Sequence, residues 1–395
     1  MQKCLYCDFL SAPGTGSMYK AYVQSLINEI NAYGSIYSDR KIISIFAGGG
    51  TPSVLSSALT ESIARAIKDA FNIQNTENGS EKEIEITIEC NPGTLTEEKL
   101  ETYKRIGINR LSIGLQSANN KELKALGRIH TSEQFVQTFH MARDMGFDNI
   151  NVDLMQAIPQ QTLESWKHTL SETAALAPEH ISAYSLIIEE NTPFFDRLKK
   201  GDNLNIPSED EEREIYYSTR DILKEFGYDR YEISNYSLPG RECRHNCGYW
   251  TRKNYLGLGL GSSSLIDNVR WKNISDLNSY IEICDKYKNA PMELIAELQK
   301  ERETLSVNEQ MEEFMFLGLR MTRGIFKEDF TETFGKNYDS IYGDITRILK
   351  QRGYIETKEC ICQDLAGHPV TKMQVRLTDI GVDLSNRVLA EFLLE

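Results

Sequence analysis

Residues 110–117 read RLSIGLQS, an apolar run that begins on an arginine and ends on a polar pair. Four more apolar, β-branched runs recur in the first half of the chain, at residues 41–50, 83–92, 149–159 and 180–186. Each has the composition of a buried strand bounded by turn residues. Helical patterns separate these runs, and one at 131–147 puts Phe135 and Phe139 on the same face. Strands that alternate with helices predict a parallel sheet, either doubly wound or barrel-like.

Polar residues or glycines stand at the end of every one of these predicted strands. They are Gly48 to Thr51, Glu89 and Asn91, Gln116, Asp153 and Tyr184. A single acid at such a place commonly caps the next helix, and GGGTPS at 48–53 alone is equally well a tight turn. In α/β barrels, however, the site is built at the carboxyl ends of the strands. The aligned set therefore favours a full or partial barrel with a site at that edge.

Composition and charge exclude several classes of function. The chain has 395 residues and a net charge of −14, which argues against a general nucleic-acid partner. No apolar run approaches the length of a membrane span, and the first residues contain no apolar signal core. The eight cysteines are too sparse for a disulfide framework and predict free thiols or metal ligands in a reducing compartment. We therefore expect a cytoplasmic protein.

The pattern changes twice toward the C-terminus, and the chain is predicted to form three domains. Residues 1–190 contain the strand–helix repeats. Residues 191–300 are rich in Gly, Ser and Tyr and are expected to add β structure to the sheet. Residues 301–395 show helices, a hairpin and a last helix, as in a small winged-helix-like domain. The acidic balance of this last domain disfavours DNA contact and favours a structural cap or a partner surface.

The opening segment MQKCLYCDF places Cys4 and Cys7 three apart, with Tyr6 between them. A Cys-x-x-Cys pair serves zinc, redox disulfides or iron–sulfur clusters. Together with the strand-end residues it resembles the Cys-x3-Cys-x2-Cys signature of radical S-adenosylmethionine enzymes, whose three thiolates hold a [4Fe-4S] cluster. The segments CLYCDF, GGGTPS, ECNPGT, RLSIGLQS, LGRIH, NVDLMQAIPQQT, YEISNYS and HNCGYW together resemble the HemW-type heme chaperones. These are relatives of the oxygen-independent coproporphyrinogen III oxidases, and the resemblance covers essentially the whole chain.

This resemblance implies a fold and an S-adenosylmethionine site. The fold is a partial (β/α)6 radical-SAM barrel lacking its first strand, with added β structure and a C-terminal winged-helix-like domain. The residues that it assigns to S-adenosylmethionine are Gly49, Gly50 and Thr51 for the methionyl part, and Glu89, Gln116, Arg128 and Asp153 for the rest. Arg128 has a plain alternative as a surface arginine of the LGRIH loop. The resemblance also implies that Cys4 and Cys7 are the cluster ligands in this chain.

The segment HNCGYW matches the heme-binding motif of the same family and implies that His245, Asn246, Tyr249 and Trp250 bind heme. A neutral imidazole is a good axial ligand for heme iron, and the Tyr and Trp rings offer flat apolar area to the macrocycle. Without the resemblance, a loop histidine beside a buried aromatic pair is the simpler interpretation. The resemblance also implies two partners, an electron donor and a heme-acceptor protein, for which a membrane-bound respiratory protein is one candidate class.

The alternative function is oxygen-independent coproporphyrinogen III oxidation, a radical oxidoreductase reaction of porphyrin biosynthesis. The oxidases carry a further cysteine two positions after the last cluster cysteine, where this chain has Phe9. In the family's spacing the first cluster cysteine lies one position before Met1. We therefore expect the native reading frame to begin upstream and the chain as given to assemble its cluster poorly; a truncated or degenerate natural protein is the alternative.

Overall fold

The computed structural model describes residues 3–11, 14–73, 84–363 and 367–394. All five predicted strands are present. They are β1 (Ser44–Ala47), β2 (Glu85–Cys90), β3 (Arg110–Gln116), β4 (Ile150–Gln156) and β5 (His180–Ser185). They pair in parallel in chain order. The parallel sheet expected from the apolar runs is therefore confirmed.

Two short strands extend this sheet beyond β5. Strand β7 (Asn235–Ser237) pairs antiparallel with β5, and β6 (Asp229–Arg230) pairs with β7. The described sheet thus runs β1-β2-β3-β4-β5-β7-β6 and does not close on itself. This open, mostly parallel sheet is the predicted partial barrel.

Helices precede and separate these strands along the chain. They are α1 (Gly16–Tyr37), α2 (Ser57–Ala70), α3 (Glu97–Arg105), α4 (Asn120–Ala125), α5 (Ser132–Asp144) and α6 (Leu163–Ala175). The helical pattern at 131–147 forms α5, and its Phe135 and Phe139 are buried against Leu111, Val152 and Trp166 in the main core. Thr131 and Gln134 close a capping box at the start of α5, which satisfies two otherwise free backbone N–H groups.

Residues 191–300 add β7 and β6 to the sheet, as expected, but they also contain helices that were not predicted. Their helices are α7 (Pro193–Lys199), α8 (Glu209–Glu225), α9 (Arg244–Trp250), α10 (Leu277–Lys286) and α11 (Pro291–Leu298). Helix α8 shows the reason, because Ser208 and Glu211 form a capping box and Ile215, Thr219 and Leu223 fall on one buried face. The Gly- and Tyr-rich composition concealed this helical spacing.

A second, smaller sheet packs against the first helix. It runs β10-β9-β8, with β8 (Ser263–Ile266), β9 (Val269–Asn273) and β10 (Gln299–Thr304). Helix α1 joins it through Glu29, a buried carboxylate that accepts hydrogen bonds from Gly259 N at 2.8 Å and from Tyr280 Oη and Asn273 Nδ2 at 2.6 Å. Both of its oxygens therefore accept hydrogen bonds, as expected for a buried carboxylate.

The C-terminal part has the predicted winged-helix-like arrangement. Its elements are α12 (Val307–Gly318), β11 (Ile325–Phe326), α13 (Lys327–Phe334), α14 (Tyr338–Gln351), β12 (Ile355–Gln363), β13 (Pro369–Leu377), α15 (Asp379–Asp383) and α16 (Ser385–Ala390). Strands β12 and β13 form the long hairpin, and β11 pairs with β13. Met311, Phe330 and Val375 are buried in its core. Within the described ranges, no helix has both the length and the apolar character of a membrane span.

Candidate functional site

The cysteine segment is anchored to the loop that follows α4. Leu5 N donates to Leu126 O at 3.1 Å. Gly127 has a φ of +76°, and a Cβ there would lie 2.8 Å from Leu5 Cγ, so this position requires glycine. Cys7 N donates to Cys4 O at 3.3 Å, which closes a turn. Both thiols are free and half-buried. The turn thus presents Cys4 and Cys7 together beside the LGRIH loop.

Arg128 connects this turn to the ends of the strands. Its Nη1 lies 3.6 Å from Cys4 Sγ, and its Nη2 donates to Asn91 Oδ1 at 2.9 Å and to Gly114 O at 2.7 Å. Asn91 Nδ2 in turn donates to Thr51 Oγ1 at 2.9 Å. The side chain therefore points into the carboxyl edge of the sheet, and the alternative of a plain surface arginine is wrong.

Glu89, at the end of β2, lies against the glycine segment after β1. Gly49 N donates to Glu89 Oε2 at 3.1 Å, and Gly49 has a φ of +79°. A Cβ on Gly48 would lie 2.6 Å from Phe46 Cε1 and 2.8 Å from Glu89 Cδ, so these side chains would have to shift to admit it. Burial first, and the negative charge of Asp153 next, raise the pKa of Glu89 to about 7, although hydrogen bonds from Gly49 and Gly50 oppose this. The carboxyl consequently titrates near neutral pH.

Gln116 is the last residue of β3, whereas Asp153 lies within β4, in register with Gly114, so the prediction that Asp153 ends its strand is wrong. Gln116 is buried with a φ of +72°, and its Oε1 accepts a hydrogen bond from Tyr184 Oη at 3.1 Å. Asp153 accepts from Ser112 Oγ at 3.0 Å and from Asn151 Nδ2 at 2.8 Å. Burial first and the charge of Asp153 next raise the pKa of Tyr184. The edge thus offers carboxylates, an amide and backbone N–H groups, a suitable set for a ligand with amine, carboxylate and hydroxyl groups.

The motif helix α9 begins at the opposite end of β2. The buried carboxylate of Glu85 accepts hydrogen bonds from Arg244 N at 3.1 Å and from His245 N at 3.0 Å. The Cys243 thiol lies 3.6 Å from the same carboxylate. A carboxylate at the N-terminus of a helix satisfies free N–H groups and complements the helix dipole. Strand β2 therefore contacts the glycine segment through Glu89 at one end and the motif helix through Glu85 at the other.

The imidazole of His245 lies on the inner face of the sheet beside β1. Ser44 Oγ is 3.0 Å from Nδ1, and Tyr249 Oη is 3.0 Å from Nε2. The Phe46 ring stacks on the imidazole with centroids 5.0 Å apart. Burial is the main cause that lowers the pKa of His245, Glu85 opposes it and Arg110 adds to it. The ring is therefore held neutral and in one orientation.

Trp250, also on this helix, packs against other residues than His245 does. The guanidinium of Arg320 lies over the Trp250 ring at 4.5 Å, and Trp250 Nε1 has no hydrogen-bond partner among the described residues. Asn246 is half-buried next to the imidazole-bearing residue. Successive residues of a helix point about 100° apart, so Tyr249 and Trp250 face different sides. The structure brings Tyr249, but not Trp250, into contact with the imidazole.

Comparison with known proteins identifies the family. The profile of the Radical SAM superfamily matches residues 1–172, and that of the HemN C-terminal domain matches residues 305–367. Heme chaperone HemW of Lactococcus lactis is 35% identical over 99% of this chain and 94% of its own. Heme chaperone HemW of Bacillus subtilis is 33% identical over 99% and 96%, respectively. The chain belongs to the HemW family. The structure of coproporphyrinogen III oxidase (HemN) from Escherichia coli covers 99% of this chain and 87% of its own, with a TM-score of 0.80 and 20% identity, which shows a shared fold.

Two groups of this HemW-family site were not predicted from the sequence, namely Ser44 and Glu85. They are register neighbours on β1 and β2, and both contact residues that lie about 160 to 200 positions further along the chain. One signal was available for Glu85, because it stands four residues before Glu89 and so faces the same side of the strand. Ser44 carries no such signal.

We expect Glu89→Gln to stabilise the ligand-free protein at pH 8.5 and to have little effect at pH 5. The folded pKa of about 7 lies above the ordinary value of 4.5. The stability that this carboxyl contributes is therefore complete below about pH 4.5 and is lost as the pH rises through about 7. A neutral amide avoids that loss, so the apparent melting temperature should rise by about 5 °C at the higher pH. Glu101→Gln, an exposed change on α3, is the control. An equal gain at both pH values would contradict this assignment.

Proposed function

We propose that this protein binds heme through His245 and passes it to an acceptor protein in the cytoplasm. It would also hold a [4Fe-4S] cluster and S-adenosylmethionine at the carboxyl edge of its sheet. The observation that carries the proposal is the placement of His245: a neutral imidazole, held by Ser44, Tyr249 and Phe46 on the inner face of a radical-SAM sheet. A neutral imidazole has the lone pair that heme iron requires. The curated relatives, which bear the name heme chaperone, support the same assignment.

The cysteine turn has the chemistry of a cluster ligand set. Thiolates are the usual ligands of iron–sulfur clusters, and Cys4 and Cys7 would supply two of the three in the signature. No group of three or more metal-binding side chains occurs within the residues that the structure describes. The Arg128 guanidinium, 3.6 Å from Cys4 Sγ, complements the negative charge of a bound thiolate. When bound, the cluster supplies the electron that cleaves the sulfonium of S-adenosylmethionine.

The residues of the carboxyl edge fit S-adenosylmethionine as well. In this proposal Glu89 accepts hydrogen bonds from the amino group, and Gly49, Gly50 and Thr51 approach the methionyl part with their backbone. Gln116 and Asp153 offer acceptors to the remaining hydroxyl and amino groups, while Arg128 fixes the edge by bonding Asn91 and Gly114. Each of these side chains already has a protein partner that sets its orientation. Such preorganised groups pay little ordering cost when the ligand binds.

The oxidase alternative is tested by a direct assay. We expect no conversion of coproporphyrinogen III to protoporphyrinogen IX by the anaerobically reconstituted protein, supplied with S-adenosylmethionine and a reductant and compared with the control at equal cluster content. The reason is that Phe9, 56% exposed, stands where the oxidases carry a further cysteine. HemN from Escherichia coli, assayed in parallel, is the positive control, and product would be measured by porphyrin fluorescence after oxidation. Turnover comparable to that control would replace the chaperone function with the oxidase.

A further inference from the structure

The structure assigns separate tasks to the two hydroxyl groups that contact His245. We infer that heme iron binds Nε2 and displaces the hydroxyl of Tyr249, while Ser44 is a positioning residue that keeps the imidazole proton on Nδ1. This inference rests on the proposed function, because it concerns how His245 ligates heme. It adds a residue, Ser44, and gives Tyr249 a role other than contact with the macrocycle.

Both ring nitrogens of His245 are engaged when no heme is present. The distance from Ser44 Oγ to Nδ1 and that from Tyr249 Oη to Nε2 are each 3.0 Å. A neutral imidazole has one N–H donor and one lone-pair acceptor, so one hydroxyl accepts and the other donates. Iron requires the lone pair, and the hydroxyl that donates to it must leave before iron can bind.

The acidity of the two hydroxyls decides which of them donates. Burial raises the pKa of Tyr249 to about 12, but a phenol is still a stronger hydrogen-bond donor than an aliphatic alcohol. Tyr249 therefore donates to Nε2, and the N–H on Nδ1 donates to Ser44 Oγ. This leaves the lone pair on Nε2. Ligating histidines in proteins commonly donate their second N–H to a protein acceptor in this way, which fixes the tautomer and the ring orientation.

The surroundings of the two hydroxyls also indicate that Ser44 stays in place and that Tyr249 is the group that moves. Ser44 lies in strand β1, where its backbone is in register with Glu85 on β2. Glu85 also accepts the backbone N–H of His245 at 3.0 Å, so neighbouring positions of two paired strands hold both the backbone and Nδ1 of this residue. Tyr249 lies on the short helix α9, half-buried, with its ring edge-on to Tyr255 at 4.7 Å. A rotation about its side-chain bonds moves the hydroxyl without disturbing the sheet.

The test compares Ser44→Ala and Tyr249→Phe in heme titrations and stopped-flow mixing. Tyr249→Phe removes the group that must leave, so heme association should become about 5-fold faster, the factor expected for one ordinary hydrogen bond. Ser44→Ala should raise the dissociation constant about 10-fold. It should also raise the reduction potential of the bound heme, because the lost Nδ1–H bond makes the imidazole a weaker electron donor. Tyr255→Phe removes a neighbouring hydroxyl and is the matched control, expected to change none of these values.

Several outcomes would overturn the inference. Faster association in Ser44→Ala with weaker binding in Tyr249→Phe would mean that iron uses Nδ1. Equal effects of Tyr249→Phe and Tyr255→Phe would mean that Tyr249→Phe acts only by loosening the packing of the two aromatic rings. If His245→Ala abolishes heme binding but Ser44→Ala and Tyr249→Phe have no effect, His245 remains the ligand and neither hydroxyl has the role inferred for it. Failure of His245→Ala itself to change heme binding would instead contradict the proposed function.

Discussion

Replacing His245 with alanine should weaken heme binding by about 100-fold or more and shift the Soret band, because the variant loses the nitrogen that ligates the iron. Loss of a residue that only supports a metal ligand typically costs 10- to 100-fold in affinity, and loss of the ligand itself should cost no less. The fold should survive this change. His245 is half-buried, and the two hydroxyls that it leaves, on Ser44 and Tyr249, can bond to water instead.

The measurement is an absorbance titration of the purified protein with heme. His168→Ala, an exposed histidine on α6, is the matched control because it removes the same side chain without touching the site. The apparent melting temperature of both variants shows whether either has lost its fold. An unchanged Soret band and affinity in His245→Ala would rule out this residue as the axial ligand. Heme bound nonspecifically at the surface would respond equally to the two substitutions.

The sequence was most informative where local pattern and position determine the structure. Apolar runs such as residues 110–117 predict buried strands, and in a parallel sheet the carboxyl ends of the strands must meet at one edge. That argument alone brought Glu89, Gln116 and Asp153 together. In the structure Gln116 ends β3 and Glu89 is the next-to-last residue of β2, whereas Asp153 lies within β4, in register with Gly114. The direction of Arg128 was not decided by any local signal, since its partners lie 14, 37 and 124 residues away.

Sequence reasoning was weakest where composition was taken for structure. Residues 191–300 were expected only to add β structure because they are rich in Gly, Ser and Tyr, yet the capping box and apolar spacing of α8 could be read in the same residues. The residues of the motif HNCGYW were also expected to face the same ligand. Because it forms a helix, Tyr249 turns toward His245 while Trp250 packs under Arg320. A motif specifies residue types, and only its secondary structure decides which of them share a face.

The double variant Cys4→Ala/Cys7→Ala should lose the iron and sulfide that the protein acquires on anaerobic reconstitution, to less than about a tenth of the parent level. Arg128 contacts the Cys4 thiol, and the hydrogen bonds of Leu5 N and Cys7 N hold the turn that carries both cysteines. Iron and acid-labile sulfide per chain are the quantities to measure. Cys360→Ala, which removes a half-buried thiol from strand β12, is the control and should retain both. Equal iron in the double variant and in the parent would show that the cluster, if formed, uses other ligands.

The same double variant separates the two ends of strand β2. Glu89 holds the glycine segment at the carboxyl end, and Glu85 caps the motif helix at the amino end, so the cysteine turn and His245 are held by different contacts. Heme affinity of the double variant should therefore stay within about 2-fold of the parent, because independent sites contribute additively. A parallel loss of heme would mean that the cluster end of the sheet supports the heme site. Retained heme affinity with no cluster would show that capture of heme by His245 needs only the folded sheet and its motif helix.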